Sequence, residues 1–214
     1  MRRIERVATV GSMFMALGLA ISGKQAAAAE PRLADEMRGS WRSLSCELRP
    51  SAGEDGVVPF YLTRNFTYDG EAFSGSITVF ADPLCEAPMA EYDFAGHLEA
   101  DGDSPAIAGA EQVNYVLDEA LSLTPIDTAF ADQLNALPAG SCGPDPWQVG
   151  TVQDILASGC VLLELEPGEI YTDYDLVYVR GDLLFFGAKH VDGRDFSTPE
   201  NRPMQLQIPM ERVN

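Results

Sequence analysis

The chain is poor in cations and in histidine. Its 214 residues carry 14 Lys and Arg against 33 Asp and Glu, for a net charge of −19. Such a chain repels phosphate backbones and anionic lipid surfaces, which argues against nucleic acid as a partner. The plain reading of this acidity is solubility. The two histidines, His97 and His190, and the absence of any C-x-x-C leave no zinc site. There is no G-x-S-x-G elbow, no H-E-x-x-H and no phosphate loop. The sequence therefore gives no catalytic residue, no metal ligand and no cofactor, and a protein without enzymatic activity is expected. Asp101-Gly102-Asp103 opens like a calcium loop, but Ala106 and Gln112 stand where the glycine and glutamate of that loop belong, so it reads as a turn. Pairs of Asp and Glu could form a glycosidase dyad, yet so acidic a chain produces many by chance. His97 falls on the polar side of its strand and reads as a surface residue.

Long apolar runs are also scarce. Val7 to Ile21 follows the basic residues Arg2, Arg3 and Arg6, has the length of a signal-peptide core, and is short for a membrane span. Ala27-Ala28-Ala29 offers small residues for cleavage near Ala29. Residues 1–29 are thus expected to be a signal peptide, and residues 30–214 a single exported domain, periplasmic or secreted, with no transmembrane anchor. Cleavage would remove four cations (Arg2, Arg3, Arg6, Lys24) and one anion (Glu5), moving the net charge from −19 to −22. The four cysteines, Cys46, Cys85, Cys142 and Cys160, all lie in the mature part, and an even number in an exported chain implies two disulfides. Three pairings are open. Cys46–Cys85 with Cys142–Cys160 is favoured because each bridge then joins strands close along the chain.

What is abundant is alternation. Phe60-Tyr61-Leu62-Thr63-Arg64-Asn65-Phe66-Thr67-Tyr68 places Phe60, Leu62, Phe66 and Tyr68 on one face at period two. Strands are expected over Ser40–Leu48, Pro59–Asp69, Phe73–Ala81 and Met89–Ala100, the last with Ala90, Tyr92, Phe94, Gly96 and Leu98 inward. Asp69-Gly70 makes the turn between the second and third. After a turn at Asp101–Ser104, Ala106–Leu123 reads as one long bent strand or two short ones. One helix is expected, with Thr124 as N-cap, Pro125 at its first position, and Ile126, Phe130, Leu134 and Leu137 as its stripe. Trp147–Leu156 is of uncertain type. Val161–Leu165, Tyr171–Val179, Leu183–Phe186 and Met204–Val213 complete the strands, with a hairpin turn at Arg180-Gly181-Asp182. Roughly seven to nine antiparallel strands with one or two short helices describe a mainly β fold, a curved antiparallel barrel that either fills its interior or encloses one ligand. Gly75, Gly96 and Ala90 among the inward aromatics either leave room for a cavity or relieve crowding at bends.

Arg64 shares the apolar face. A buried guanidinium needs a partner, either a protein carboxylate such as Glu47 or the head group of an amphiphilic ligand. The protein carboxylate is favoured, because buried charges are usually paired internally.

Gly39-Ser40-Trp41 is similar to the G-x-W that opens lipocalins, where the Trp closes one barrel end, and Thr172-Asp173-Tyr174 is similar to a second lipocalin tripeptide. A broader set resembles the domain of the adenomatosis polyposis coli down-regulated family, the secreted or membrane-tethered Wnt inhibitors of animals. That set comprises Gly39-Ser40-Trp41 with Cys46-Glu47-Leu48-Arg49-Pro50, Phe60 to Phe66, Ala81-Asp82-Pro83 before Cys85 and Pro88, Trp147-Gln148-Val149-Gly150, Gly159-Cys160, Asp192-Gly193, Thr198 to Pro203, and Pro209. The chain differs from the animal pattern in having one domain, fewer cysteines and no C-terminal membrane span, and its alanine-rich leader looks bacterial. The resemblance implies a curved β-barrel with a lipocalin-like hydrophobic pocket for a fatty-acyl chain. On that basis Trp41, Phe60, Leu62, Arg64, Phe66, Phe73, Ile77, Tyr92 and Phe94 are expected to line a lipid-binding interior. The alternative is an extracytoplasmic interaction or envelope-assembly module with a solid barrel. A lipid-processing enzyme ranks last, for want of a nucleophile constellation.

Overall fold

A computed structural model describes residues 33–53, 56–193 and 196–213, all within the compact unit Pro31–Asn214. The expected signal peptide and its cleavage site near Ala29 lie outside the described residues. The fold is mainly β. Two helices, α1 (Leu33–Met37) and α2 (Thr128–Ala136), accompany β1 (Gly39–Ser43), β2 (Glu47–Gly53), β3 (Gly56–Asp69), β4 (Ala72–Phe80), β5 (Pro88–Asp103), β6 (Glu111–Pro125), β7 (Gln153–Asp154), β8 (Tyr171–Arg180), β9 (Leu183–Phe186) and β10 (Met210–Val213).

The strands form one antiparallel sheet in the order β1-β10-β9-β8-β6-β5-β4-β3-β2, with β7 attached to β6. β1 also pairs with β3, so the sheet curves round into a ring. The long strands β3, β5 and β6 follow from unbroken alternation, and Asp69-Gly70 turns β3 into β4 with Gly70 at φ 68°. The hairpin at Arg180-Gly181-Asp182 likewise joins β8 to β9, with Gly181 at φ 61°. In the ring, a bend must bring strands close. At Gly96, an added Cβ would sit 1.9 Å from the Val116 carbonyl oxygen, beside a register shift between β5 and β6. At Gly75 an added Cβ would meet the Asn65 oxygen at 2.6 Å and the Phe94 ring at 2.9 Å.

Several expected elements are corrected. Ser40–Leu48 is two strands, interrupted at 44–46, where Cys46 bridges to Cys85. β1 and β2 lie end to end along β3, opposite Asn65–Tyr68 and Gly56–Leu62 respectively. Asp101–Asp103 stay in β5, and the turn falls later, where Ser104 N donates to Ala110 O at 2.8 Å. Thr124 and Pro125 continue β6, paired with Glu91 and Ala90. The helix is capped instead by Asp127, whose Oδ1 accepts from Phe130 N at 2.7 Å. Val161–Leu165 is not a strand: Val161–Leu163 makes a 3-10 turn inside the loop closed by Cys160 N donating to Leu165 O at 2.9 Å. Of Trp147–Leu156 only Gln153–Asp154 pairs as a strand, and of Met204–Val213 only the last four residues do.

Both bridges are present, Cys46–Cys85 and Cys142–Cys160. The loop that presents Cys85 is organised by Asp82. Its carboxylate accepts from Ala87 N (2.7 Å), Leu84 N (2.9 Å) and Glu86 N (3.0 Å), and these donors hold its pKa below the ordinary carboxyl value. Trp147 anchors the long loop after α2. Its N–H donates to Asn135 Oδ1 at 2.7 Å and its indole to Cys142 O at 2.9 Å.

Candidate ligand cavity

The inner face of the ring lines a cavity of about 500 Å³ that is partly open to solvent. β3 contributes Phe60, Leu62, Arg64 and Phe66 at period two, because inward positions on one strand recur every second residue. β4 adds Phe73, Ile77 and Val79, and β5 adds Tyr92 and Phe94. Further wall residues are Tyr115, Leu117 and Leu121 on β6, Tyr171, Asp173 and Asp175 on β8, Phe186 on β9 and Arg49 on β2. Val58 and Leu162, each about half exposed, stand where the cavity meets solvent.

Aromatic rings form a packed cluster at one part of this wall. Phe66 lies 5.2 Å from Phe94 and 5.3 Å from Phe186, and Phe73 meets Tyr115 edge to face at 5.1 Å. The Tyr68 and Tyr115 hydroxyls share a hydrogen bond of 3.1 Å, and burial raises the pKa of both phenols. Tyr92 is pushed up to about 12 by burial.

The charged groups are arranged around Glu47, which is fully buried. Its carboxylate accepts from Arg64 Nε and Nη2, each at 3.0 Å, and from Arg49 Nη2 and Ser43 Oγ. Arg64 is therefore inside and held by a protein carboxylate in the two-pronged geometry that suits a guanidinium. Its Cζ stacks 4.6 Å over the Phe186 ring. Arg49 is the unexpected member. In β2, Glu47 and Arg49 turn inward while Leu48 is 58% exposed, so the strand is inverted relative to its hydrophobicity. The register explains it: Glu47 pairs with Leu62 and Arg49 with Phe60, and paired residues share a face. Burial, and then the neighbouring Arg64 charge, lower the Arg49 pKa.

A second polar stretch lies on β8 and the segment after β9. Asp175 accepts from Leu176 N at 2.6 Å and Gly187 N at 2.8 Å. Burial and the nearby Asp173 push its pKa up to about 7. Lys189 and Gln207 complete this wall, with Lys189 Nζ 3.7 Å over the Phe196 ring. Gln207 Oε1 is buried without a hydrogen-bond partner among the described residues.

Of the residues expected to line the interior, the structure places Phe60, Leu62, Arg64, Phe66, Phe73, Ile77, Tyr92 and Phe94 on the cavity wall. Trp41 is buried but is not on it. Its indole N–H donates to Met37 O at 2.7 Å, and the Arg212 guanidinium lies 4.0 Å over its ring. Gly75, Gly96 and Ala90 do not make the cavity either: both glycines relieve close approaches, and Ala90 is fully buried away from it. Arg202, from the C-terminal motif, is a fastener. It donates to Val113 O (2.7 Å), Asp175 O (2.8 Å), Asp101 Oδ2 (2.7 Å) and Asn114 Oδ1 (2.8 Å), tying its segment to β5, β6 and β8. His97, at the surface, faces Asp118 at 3.2 Å. Among the described residues no group of His, Cys, Asp and Glu is placed to hold a metal ion. None of their helices is long and apolar enough to cross a membrane. The two disulfides fit an oxidising, extracellular setting.

Residues 20–161 match the family described as Adenomatosis polyposis coli down-regulated 1. The chain belongs to this family. The match includes the Cys46 and Cys85 motifs, the Leu62-Thr63-Arg64 strand, Trp147 and Cys160. The motif residues from Asp192 to Pro209 lie beyond the matched span. The family motifs have structural work in this fold: Glu47, Arg49 and Arg64 form one buried cluster, and Asp82 shapes the loop of Cys85.

Proposed function

We propose that this protein is an exported, non-enzymatic carrier for a hydrophobic acyl chain, a lipid or fatty acid, held inside the ring. In this reading the ring is a barrel with a lipocalin-like pocket. The observation that carries it is the cavity of about 500 Å³ lined mostly by aromatic and aliphatic side chains. That volume falls within the range of small-molecule sites, about 300–1,000 Å³. Each buried methylene contributes about 0.8 kcal/mol. Ten or so of them offset the several kcal/mol that association costs, which makes a long chain the natural occupant. Family membership supports the same reading, since the resemblance to the animal domain implies an acyl-chain pocket. The alternative, an extracytoplasmic interaction or envelope-assembly module with a solid interior, is disfavoured by this volume. The proposed setting is the periplasm or the exterior, reached through a leader cleaved near Ala29.

The test is displacement of a neutral fluorescent probe, N-phenyl-1-naphthylamine, by unlabelled long-chain lipids. The variant Ile77→Trp fills the cavity from β4, at the position paired with Arg64 of β3. Binding to the wild type and its loss in the folded variant is the expected result. Equal binding by both would remove the cavity from the account.

A further inference from the structure

The cluster at Glu47 is unbalanced. Two guanidiniums share one carboxylate, which leaves one positive charge unmatched within the group. All three side chains are more than nine-tenths buried, and both arginines face the cavity. Glu47 occupies Nε and Nη2 of Arg64 and Nη2 of Arg49, while Arg49 Nη1 reaches only the Leu48 carbonyl, at 3.1 Å. No further hydrogen bond to Arg64 Nη1 or Arg49 Nε is present among the described residues. Charge balance within the cluster calls for only one arginine per glutamate. A second one, turned inward while its neighbour Leu48 faces solvent, is costly in the absence of an anion, because an unneutralised buried charge loses its hydration without recompense.

The other charged groups facing the cavity are Asp173, Asp175 and Lys189. Asp175 is held by backbone N–H donors from Leu176 and Gly187, and the Lys189 charge also acts on it. The influence of Asp175 on Arg49 is the weakest of those acting on it. Asp175 is therefore a minor influence on Arg49 beside Glu47, which is the carboxylate both arginines share.

We propose that the occupant is an anionic-headed amphiphile, a long-chain fatty acid in its carboxylate form, seated with its head group on Arg49 and Arg64 and its chain among the aromatic residues. This rests on the acyl-chain reading of the cavity and adds the head-group class to it. A carboxylate brings two acceptor oxygens to the free guanidinium N–H groups, and the Arg–carboxylate match is directional. An ester or an alcohol brings no charge and leaves the cluster as it was.

The experiment compares oleate, methyl oleate and oleyl alcohol as competitors of N-phenyl-1-naphthylamine at pH 8, in wild type and in Arg49→Met, with lysophosphatidic acid as a second anion. The wild type is expected to take oleate at least about tenfold more tightly than the ester or the alcohol, the worth of one charge-assisted hydrogen bond. Arg49→Met, which leaves Glu47 and Arg64 matched one to one, is expected to bring oleate down to the ester. Equal and measurable binding of all three by the wild type would overturn the head-group proposal while leaving the acyl-chain reading intact. No displacement by any of them would overturn both. A preference for oleate that survives Arg49→Met would overturn the assignment to this cluster. Tighter binding of lysophosphatidic acid than of oleate would replace the carboxylate by a phosphate. If Arg49→Met fails to fold, the wild-type series decides the head-group class, and Arg49→Gln tests the residue.

Discussion

Two stretches of the cavity wall follow different rules. From β3 to β5 the cavity-lining residues are Val58, Phe60, Leu62, Phe66, Phe73, Ile77, Val79, Tyr92 and Phe94, interrupted by Arg64 alone. On β8, β9 and the segment after β9 they are Tyr171, Asp173, Asp175, Phe186, Lys189, Phe196 and Gln207. The first stretch combines apolar packing with one tightly held charge group. In the second, polar groups are spread along the wall, and backbone donors hold the Asp175 carboxylate. The difference teaches where each stretch is vulnerable: the first to the loss of a single carboxylate, the second to changes in protonation.

The largest effect is expected at Glu47. Glu47→Gln leaves two buried guanidiniums facing one another, and unfolding in denaturant should show a loss of about 3–5 kcal/mol. Arg64→Met should cost less than Glu47→Gln, because Arg49 still pairs the carboxylate. If Glu47→Gln unfolds at the wild-type denaturant concentration, the first stretch does not depend on its charge group.

The disulfides come next. Cys46→Ser with Cys85→Ser opens a loop with a separation of 39 residues and should cost about 4 kcal/mol. Cys142→Ser with Cys160→Ser opens one of 18 and should cost about 3 kcal/mol. Thermal melts of the two double variants give the order. The opposite order would mean that the Trp147 loop, rather than the β4–β5 loop, secures the ring.

Gly96→Ala should follow, at about 1–3 kcal/mol, because the new methyl meets the Val116 backbone where β5 and β6 close up. A neutral result, read from the same melts, would show that the strands can separate at this bend.

The smallest effect is the pH dependence from Asp175. Its folded pKa, about 7, lies above the ordinary carboxyl value, so between about pH 4 and pH 7 the folded state retains a proton that the unfolded state has released. This group therefore favours the fold at low pH, and its contribution is lost as pH rises through that window. Melting temperatures of wild type and Asp175→Asn, taken from pH 5 to pH 8, should converge toward the acid end, with the wild type falling relative to the variant as pH rises. Parallel curves would show that Asp175 does not titrate in this window.

The first stretch was legible in the sequence and the second was not, for a physical reason. Alternation identifies a face only when one set of positions is apolar. Phe60 to Tyr68 met that condition, so the strand, the inward Arg64 and its partner Glu47 could all be named. Tyr171, Asp173 and Asp175 also alternate, but acidic residues on one face resemble a solvated surface. Arg49 was hidden more deeply. Leu48 is the apolar residue of its strand, and only pairing with β3 reveals that the leucine faces out. Trp41 was expected on the cavity wall, but Met37, four residues earlier, takes its indole N–H and Arg212, from the far end of the chain, covers its ring. Thr124 and Pro125 have good helix-start chemistry, yet pairing with β5 holds them in the sheet, and Asp127 takes the cap. The Cys142–Cys160 bridge could be favoured from proximity, whereas the turn at Val161–Leu163 depends on the closure of that loop.

Native mass spectrometry with added oleate tests the central claim most directly. The wild type should carry one tightly held oleate, released only at high collision energy, and folded Ile77→Trp should carry none. Equal adduct on both proteins, or none on either, would contradict an acyl-chain site inside the ring.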